Sequence, residues 1–233
     1  MRLITVSGPP SCGKTSVIVQ AIKILRTHLQ IGVVKFDCLS TNDQAIYEKN
    51  NIDCLLGLSG NLCPDHFYIS NIDDCVGSAK KRHWDFLISE SAGLCNRCAP
   101  HIKGVLAICV IDCLSGIHTP KKIGPMLRYA DVVVITKGDI VSQAEREVFS
   151  YQVKEANPKA EILFVNGITG QGVFDLAEMI KNASPVGRDG LFGQKLRFSM
   201  PAALCSYCLG ETRIGEIYQK GNVKKMKPEA EIL

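Results

Sequence analysis

The stretch LITVSGPPSCGKTS, residues 3–16, decides the fold class of this chain. Leu3–Val6 is a short β-branched segment, Gly8–Thr15 matches the pattern G-x-x-x-x-G-K-[ST], and Ser16–Leu29 carries apolar residues at helical spacing. A strand, a glycine loop and a helix in this order bind phosphate, because backbone N–H groups and the helix N-terminus surround its oxygens. The stretch therefore predicts a nucleotide-binding P-loop.

Each fixed position of this loop has a chemical role. We expect Lys14 to act in catalysis by contacting the β- and γ-phosphates, and Thr15 to bind Mg²⁺. The nucleotide is also expected to contact the remaining positions of the loop, which are Gly8, Pro9, Ser11, Cys12, Gly13 and Ser16.

Further apolar runs predict strands, with helical segments between them. The predicted strands are Gly32–Phe36, Phe86–Ser89, Val105–Ile111, Val132–Thr136 and Ile162–Val165. The predicted helices are Asp43–Asn50, Ile72–Lys81, Gly124–Tyr129, Gln143–Ala156 and Val173–Asn182. This alternation predicts an α/β fold with a doubly wound, mostly parallel sheet. We expect a P-loop GTPase domain over residues 1–184 and a short cysteine-containing extension over residues 185–233, because Gly, Pro and Arg become frequent after Ser184.

A second motif indicates the base of the nucleotide. Thr136-Lys137-Gly138-Asp139 follows a buried strand, where P-loop GTPases carry the base-reading Asn-Lys-x-Asp. The carboxylate of Asp139 can accept hydrogen bonds from both N1 and N2 of guanine, and adenine offers no such pair of donors. We therefore predict GTP as the nucleotide, contacted by Thr136, Lys137 and Asp139.

Two acidic residues at strand ends are candidates for the magnesium and water chemistry. Asp37 ends the second strand, and Glu90 ends the strand that precedes Ser91 and Gly93. Side chains at the carboxyl ends of parallel strands face the ligand crevice. We predict that Asp37 binds Mg²⁺ together with Thr15, and that Asp37 or Glu90 orients the attacking water.

The composition limits the partners and the compartment. A formal net charge of +4 is too small to indicate nucleic acid by itself, and the longest apolar run, Val105–Ile111, has the length of a strand rather than of a membrane helix. The N-terminus lacks the pattern of a secretory signal, so we expect a cytoplasmic protein that binds neither nucleic acid nor a membrane. In a reducing compartment, eleven cysteines indicate metal or redox chemistry rather than disulfides.

Two C-x-x-C pairs are the clearest cysteine patterns. Cys95 and Cys98 follow the predicted switch at Glu90, whereas Cys205 and Cys208 lie in the extension. The two pairs together could form a Cys₄ site for zinc or a 4Fe-4S cluster, or Cys95 and Cys98 of two subunits could form one across a two-fold axis. Redox dithiols remain an alternative for either pair.

Together these motifs resemble the nickel-insertion GTPases of the hydrogenase and urease maturation systems, in the SIMIBI class of P-loop proteins. The resemblance covers residues 1 to about 182, and its carriers are Gly8–Thr15, Asp37 to Asp43, Cys63-Pro64-Asp65-His66, Glu90-Ser91-Ala92-Gly93 and Thr136–Asp139. In that family a Cys-Pro-His or Cys-His element binds nickel or zinc, so the resemblance implies a metal role for Cys63 and His66. Asp65 departs from the family pattern.

The resemblance implies a GTP-hydrolysing metallochaperone. Such a protein binds nickel or zinc, forms a homodimer when loaded, and delivers the ion during maturation of a recipient metalloenzyme. The cysteine content also permits a nucleotide-driven iron–sulfur reductase or cluster carrier that acts on a metalloenzyme partner. A third interpretation is a nucleotide-sensing adaptor with structural zinc at Cys205 and Cys208.

Overall fold

One seven-stranded sheet organises the computed structural model, which describes residues 1–198 and 211–226. All strands are parallel, and their order is β3-β2-β4-β1-β5-β6-β7. The strands are β1 (Arg2–Ser7), β2 (Ile31–Asp37), β3 (Asp53–Leu58), β4 (Phe86–Glu90), β5 (Leu106–Asp112), β6 (Val132–Thr136) and β7 (Glu161–Phe164). The helices are α1 (Lys14–Leu25), α2 (Asp43–Lys49), α3 (Pro64–Lys81), α4 (Thr119–Lys122), α5 (Pro125–Arg128), α6 (Gln143–Ala156) and α7 (Val173–Lys181).

Helices cover both faces of the sheet, which explains why the strands are almost continuously apolar. Ile4 and Val6 of β1 pack in one cluster with α1 and α7, whereas Leu3 faces α3 on the other side. A third cluster joins α5 and α6 to β5 and β6. Residues buried on both sides give no alternation of polar and apolar positions, as expected for a parallel sheet.

The predicted fold class is confirmed, and the differences are local. The edge strand β3 was not predicted, although the run from Cys54 to Leu58 is apolar. Helix α3 begins eight residues earlier than Ile72, at Pro64, because Cys63 is its extended N-cap and a proline fits the first helical turn. The predicted helix Gly124–Tyr129 corresponds to α5, and a second short helix, α4, precedes it.

The residues after the sheet pack onto α3 and β4. Leu191, Leu196 and Ile214 are buried in the same cluster as α3. The C-terminal segment, residues 211–226, lies along α3, where the side chain of Asn71 donates to Lys224 O at 2.8 Å and accepts from Met226 N at 2.8 Å. Cys205 and Cys208 lie outside the described residues.

The carboxyl ends of β1, β2, β4, β5 and β6 meet at one edge of the sheet, and the motifs predicted for nucleotide binding follow them. Among the described residues, none of the helices combines the length and apolar character that crossing a membrane requires.

Gly32 in β2 tests the packing of the sheet against α3. A Cβ at this position would lie 2.0 Å from the ring of the buried Trp84. We expect Gly32→Ala to lower the free energy of unfolding by about 1–3 kcal/mol, because the ring has no room to move. Denaturant unfolding followed by Trp84 fluorescence measures this change.

Gly77→Ala is the matched control. Gly77 lies in the middle of α3 with nothing within 4 Å of its added Cβ, so alanine there should stabilise the protein by about 0.5–1 kcal/mol. Equal effects of the two substitutions would show that the contact between Gly32 and Trp84 does not constrain the sheet.

Candidate functional site

The P-loop runs from Gly8 to Ser16 between β1 and α1, as the sequence pattern indicates. The ammonium group of Lys14 lies inside the loop, where it donates hydrogen bonds to Gly8 O at 3.0 Å and to Pro9 O at 2.8 Å. The loop carbonyls are weaker partners for this charge than phosphate oxygens. Lys14 is therefore placed to exchange these bonds for contacts with a bound triphosphate.

Two residues of the Thr-Lys-Gly-Asp motif donate hydrogen bonds to backbone carbonyls of the P-loop. The hydroxyl of Thr136, at the end of β6, donates to Cys12 O at 2.7 Å, and Lys137 Nζ donates to Ser11 O at 2.9 Å. Thr136, which stands where the family pattern has Asn, thus bonds the loop backbone directly. Asp139 is exposed beyond this contact, so its carboxylate is accessible to a purine edge.

A carboxylate with several donors lies beside the P-loop. Glu90, at the end of β4, is 1% exposed. Its Oε1 accepts hydrogen bonds from Thr15 Oγ1 and from Lys35 Nζ, both at 2.9 Å. Its Oε2 accepts from the hydroxyl of Tyr47 at 2.6 Å. Glu90 therefore connects the P-loop to β2 and α2.

Two more carboxylates, those of Asp43 and Asp37, lie near the ammonium group of Lys35. Lys35 Nζ lies 2.6 Å from Asp43 Oδ2 and 3.8 Å from Asp37 Oδ2. Partial burial acts to raise the pKa of Asp43, but hydrogen bonding to Lys35 and Thr15 holds it below its ordinary value. Asp37 also accepts a hydrogen bond from the backbone of Cys38.

The donor set beside Thr15 fits a magnesium ion. Mg²⁺ prefers hydroxyl, carboxylate and phosphate oxygens and retains several of its waters. The Thr15 hydroxyl with Glu90 and Asp43 offers such oxygens, and Asp37 Oδ2 lies 3.8 Å from Lys35 Nζ. Sequence reasoning placed Asp37 and Glu90 here but overlooked Lys35 and Tyr47. A lysine inside the apolar strand β2 was the available signal, because a buried lysine needs partners.

The chain after Glu90 touches the P-loop. Gly93 has φ +74°, and a Cβ there would lie 1.7 Å from Gly8 O. This close approach requires glycine. The turn from Glu90 to Gly93 therefore rests on the phosphate loop, and Cys95 follows two residues later.

A second group of ligand atoms lies where this turn meets α3. Atoms of Asp65, Cys95 and Cys98 all lie within 4.8 Å of one another, and the two sulfur atoms are 3.9 Å apart. Burial raises the pKa of the Asp65 carboxyl to about 7 and also raises the pKa of the Cys98 thiol. A metal cation would compensate the buried negative charge that these groups acquire on deprotonation. The sequence predicted both cysteines, but it treated Asp65 only as a departure from the family pattern.

The other two predicted ligands, Cys63 and His66, belong to the start of α3. Cys63 is the N-cap and is close enough to influence the pKa of Cys98. His66 is fully buried, its Nδ1 lies 3.6 Å from Glu211 Oε1, and neither ring nitrogen has a hydrogen-bond partner among the described residues. In this structure His66 thus faces the C-terminal segment.

Comparisons with known proteins identify the family of the nucleotide-binding domain. The family model described as CobW/HypB/UreG, nucleotide-binding domain, matches residues 2–164. The uncharacterised protein MJ0120 of Methanocaldococcus jannaschii is 46% identical over 227 residues, which are 97% of this chain and 96% of that protein.

Solved structures with this fold include two of HypB. The hydrogenase maturation factor HypB from Archaeoglobus fulgidus has a TM-score of 0.62 and 21% identity, with 78% of this chain and 89% of that chain covered. HypB from Helicobacter pylori in complex with nickel has a TM-score of 0.63 and 18% identity, with 80% and 91% covered.

Gly93→Ala tests the contact between the turn and the P-loop. We expect GTP hydrolysis to fall by at least about tenfold, because the added Cβ displaces Gly8 and with it the phosphate-binding backbone. Steady-state phosphate release measures the effect.

Gly104→Ala provides the control for backbone strain. Gly104 has φ +78° with nothing within 4 Å of an added Cβ, so alanine there should cost only about 1–2 kcal/mol of stability. Hydrolysis at the normal rate by Gly93→Ala would contradict a role for this contact.

Proposed function

Because this chain belongs to the CobW/HypB/UreG family and is a P-loop GTPase, we propose that it is a GTP-dependent metallochaperone. Its cargo is a transition metal ion such as nickel or zinc, which it delivers during maturation of a recipient metalloenzyme. HypB from Helicobacter pylori, which shares the fold, has been solved in complex with nickel. The family match favours this function over an iron–sulfur reductase.

The observation that carries the proposal is the position of the cluster formed by Asp65, Cys95 and Cys98. Its two cysteines follow directly on the turn from Glu90 to Gly93, which contacts Thr15 and the P-loop, and Asp65 joins them from α3. A change at the γ-phosphate that moves this turn also moves two thiol ligands. GTP hydrolysis can thereby alter the affinity for the metal without a separate signal-carrying element.

The donor set suits a borderline metal ion. Thiolates favour zinc, nickel and copper(I) over magnesium and calcium, and one carboxylate is compatible with a four-coordinate zinc site. We propose Cys95, Cys98 and Asp65 as the central ligands, with Cys63 and His66 completing the site after a small movement of α3. Cys205 and Cys208 remain predicted ligands outside the described residues.

In the proposed GTPase cycle each residue has a defined task. Lys14 would bind the β- and γ-phosphates, and Thr15 would hold Mg²⁺, which would supply positive charge to neutralise the phosphates. Glu90 already accepts three hydrogen bonds, which suits it to organise the site rather than to remove a proton from water. Asp37 is more exposed and is the better candidate to orient the attacking water.

We further propose that the loaded protein forms a homodimer through the nucleotide-binding edge. Leu39 and Leu94 are exposed there, after β2 and after the Glu90–Gly93 turn respectively. Apolar side chains on segments that respond to nucleotide can form a contact in one state only. The dimer and the recipient enzyme are thus linked to the same GTP cycle.

Lys14→Ala tests the nucleotide site. We expect a loss of GTP hydrolysis of at least about a hundredfold, because the charge that neutralises the γ-phosphate is removed. Phosphate release is measured with GTP and, in parallel, with ATP, which the unmodified protein should hydrolyse poorly because of Asp139. Lys23→Ala, on an exposed position of the same helix, is the control and should hydrolyse GTP normally. Unchanged turnover by Lys14→Ala would refute the site.

Metal titration tests the cargo site. We expect zinc and nickel to bind the unmodified protein, with an affinity that differs between GTP and GDP. Cys95→Ser with Cys98→Ser should abolish binding, and Asp65→Asn should weaken it by about 10–100-fold because one ligand is lost. Cys113→Ser, a half-buried cysteine after β5, is the control. Equal zinc binding by all variants would reject the cluster as the metal site.

A further inference from the structure

We propose that Lys35 is a built-in cation that keeps Mg²⁺ out of the nucleotide-free site, so that magnesium binds only together with GTP. The inference rests on the magnesium site proposed above. It concerns the oxygen ligands beside Thr15 and makes no use of the cysteine cluster.

The position of Lys35 is unusual for a lysine. It lies in the middle of β2, between Val34 and Phe36, and its side chain is 3% exposed. An apolar residue would satisfy the packing at a strand position buried on both faces. A lysine is retained at such a place only when its charge is matched by nearby partners.

The ammonium group of Lys35 lies among the carboxylates that Mg²⁺ would use. Its Nζ is 2.6 Å from Asp43 Oδ2, 2.9 Å from Glu90 Oε1 and 3.8 Å from Asp37 Oδ2. Glu90 Oε1 also accepts the Thr15 hydroxyl, so the lysine shares an oxygen atom with the side chain predicted to bind Mg²⁺. One positive charge thus occupies the centre of three negative ones.

This charge decides when a divalent ion can enter. Without Lys35, the carboxylates of Asp43 and Glu90 and the hydroxyl of Thr15 would offer hard oxygen ligands to Mg²⁺ or Mn²⁺. With Lys35 in place, a divalent ion meets a fixed positive charge at short range in a buried, weakly screened region. The oxygens of Asp43 and Glu90 that the ion would use are already bound to this ammonium group, so the ion depends on the oxygen ligands of a triphosphate.

The same contacts fix the positions of the Asp43 and Glu90 carboxylates. These carboxylates would therefore be oriented by Lys35 before Mg²⁺ binds. Lys35 is therefore a positioning residue that acts through the carboxylates and does not itself contact GTP.

Mn²⁺ binding to nucleotide-free protein tests the inference, because free and bound Mn²⁺ are distinguished by electron paramagnetic resonance. We expect Lys35→Met to bind Mn²⁺ at least about tenfold more tightly than the unmodified protein. Lys35→Arg, which keeps the charge, should bind as weakly as the unmodified protein. Lys49→Met, at an exposed position of α2, is the control for general loss of a lysine.

A second variant identifies where the Mn²⁺ binds. Adding Asp43→Asn to Lys35→Met should reverse most of the gain in Mn²⁺ affinity, since it removes one of the carboxylates that the loss of Lys35 makes available. If Lys35→Met is unstable alone, the inference requires that Mn²⁺ restores its thermal transition, and that the double variant needs more Mn²⁺ for the same effect. No gain in affinity and no rescue would overturn the inference, as would tight Mn²⁺ binding by the nucleotide-free unmodified protein.

The test is independent of the metallochaperone proposal. Performed in the Cys95→Ser and Cys98→Ser background, it should give the same Mn²⁺ result, because Mn²⁺ prefers oxygen ligands to thiolates. If the cargo site is wrong, zinc binding will be unchanged in the Cys95→Ser and Cys98→Ser variant. If the Lys35 inference is wrong, Mn²⁺ binding will be unchanged in the Lys35→Met variant.

Discussion

The hydrogen bonds to Glu90 are the interaction on which the rest of the site depends. Thr15 of the P-loop, Lys35 of β2 and Tyr47 of α2 all donate to this one buried carboxylate. Three elements whose donors lie 43 to 75 positions before Glu90 in the sequence are thereby held at one edge of the sheet. Glu90 also begins the turn that crosses the P-loop at Gly93, so the acid that organises the nucleotide site precedes Cys95 by five positions in the chain. Loss of any one of these donors would leave the buried carboxylate of Glu90 incompletely hydrogen-bonded, which is energetically costly.

The sequence predicted the sheet well because a P-loop is recognisable from a few spaced residues and because buried parallel strands are continuous apolar runs. Strand β3 was overlooked because it contains Gly57 and, as an edge strand, is buried only at alternate positions. The early start of α3 was missed because Asp65 and His66 interrupt the apolar pattern that was used to find helices. Their burial results from tertiary packing, which local periodicity does not contain.

The candidate site was predictable where it follows a motif and unpredictable where it depends on distant contacts. Lys14, Thr15 and Asp139 could be named from spacing alone. Spacing could not show that Asp65 lies beside Cys95 and Cys98, because these residues meet only when α3 packs against the turn after β4. Nor could it show that His66 faces Glu211, which is 145 positions further along the chain.

The C-terminal segment has a consequence for how the protein matures in the cell. Residues 211–226 cover α3 through Asn71 and place Glu211 against His66, yet they leave the ribosome after every strand of the sheet. During synthesis the P-loop and the sheet can form while one face of α3 is still bare. The nucleotide site can thus be complete in a nascent chain before His66 is enclosed. Competence to bind GTP can therefore precede the packing of residues 211–226 against α3.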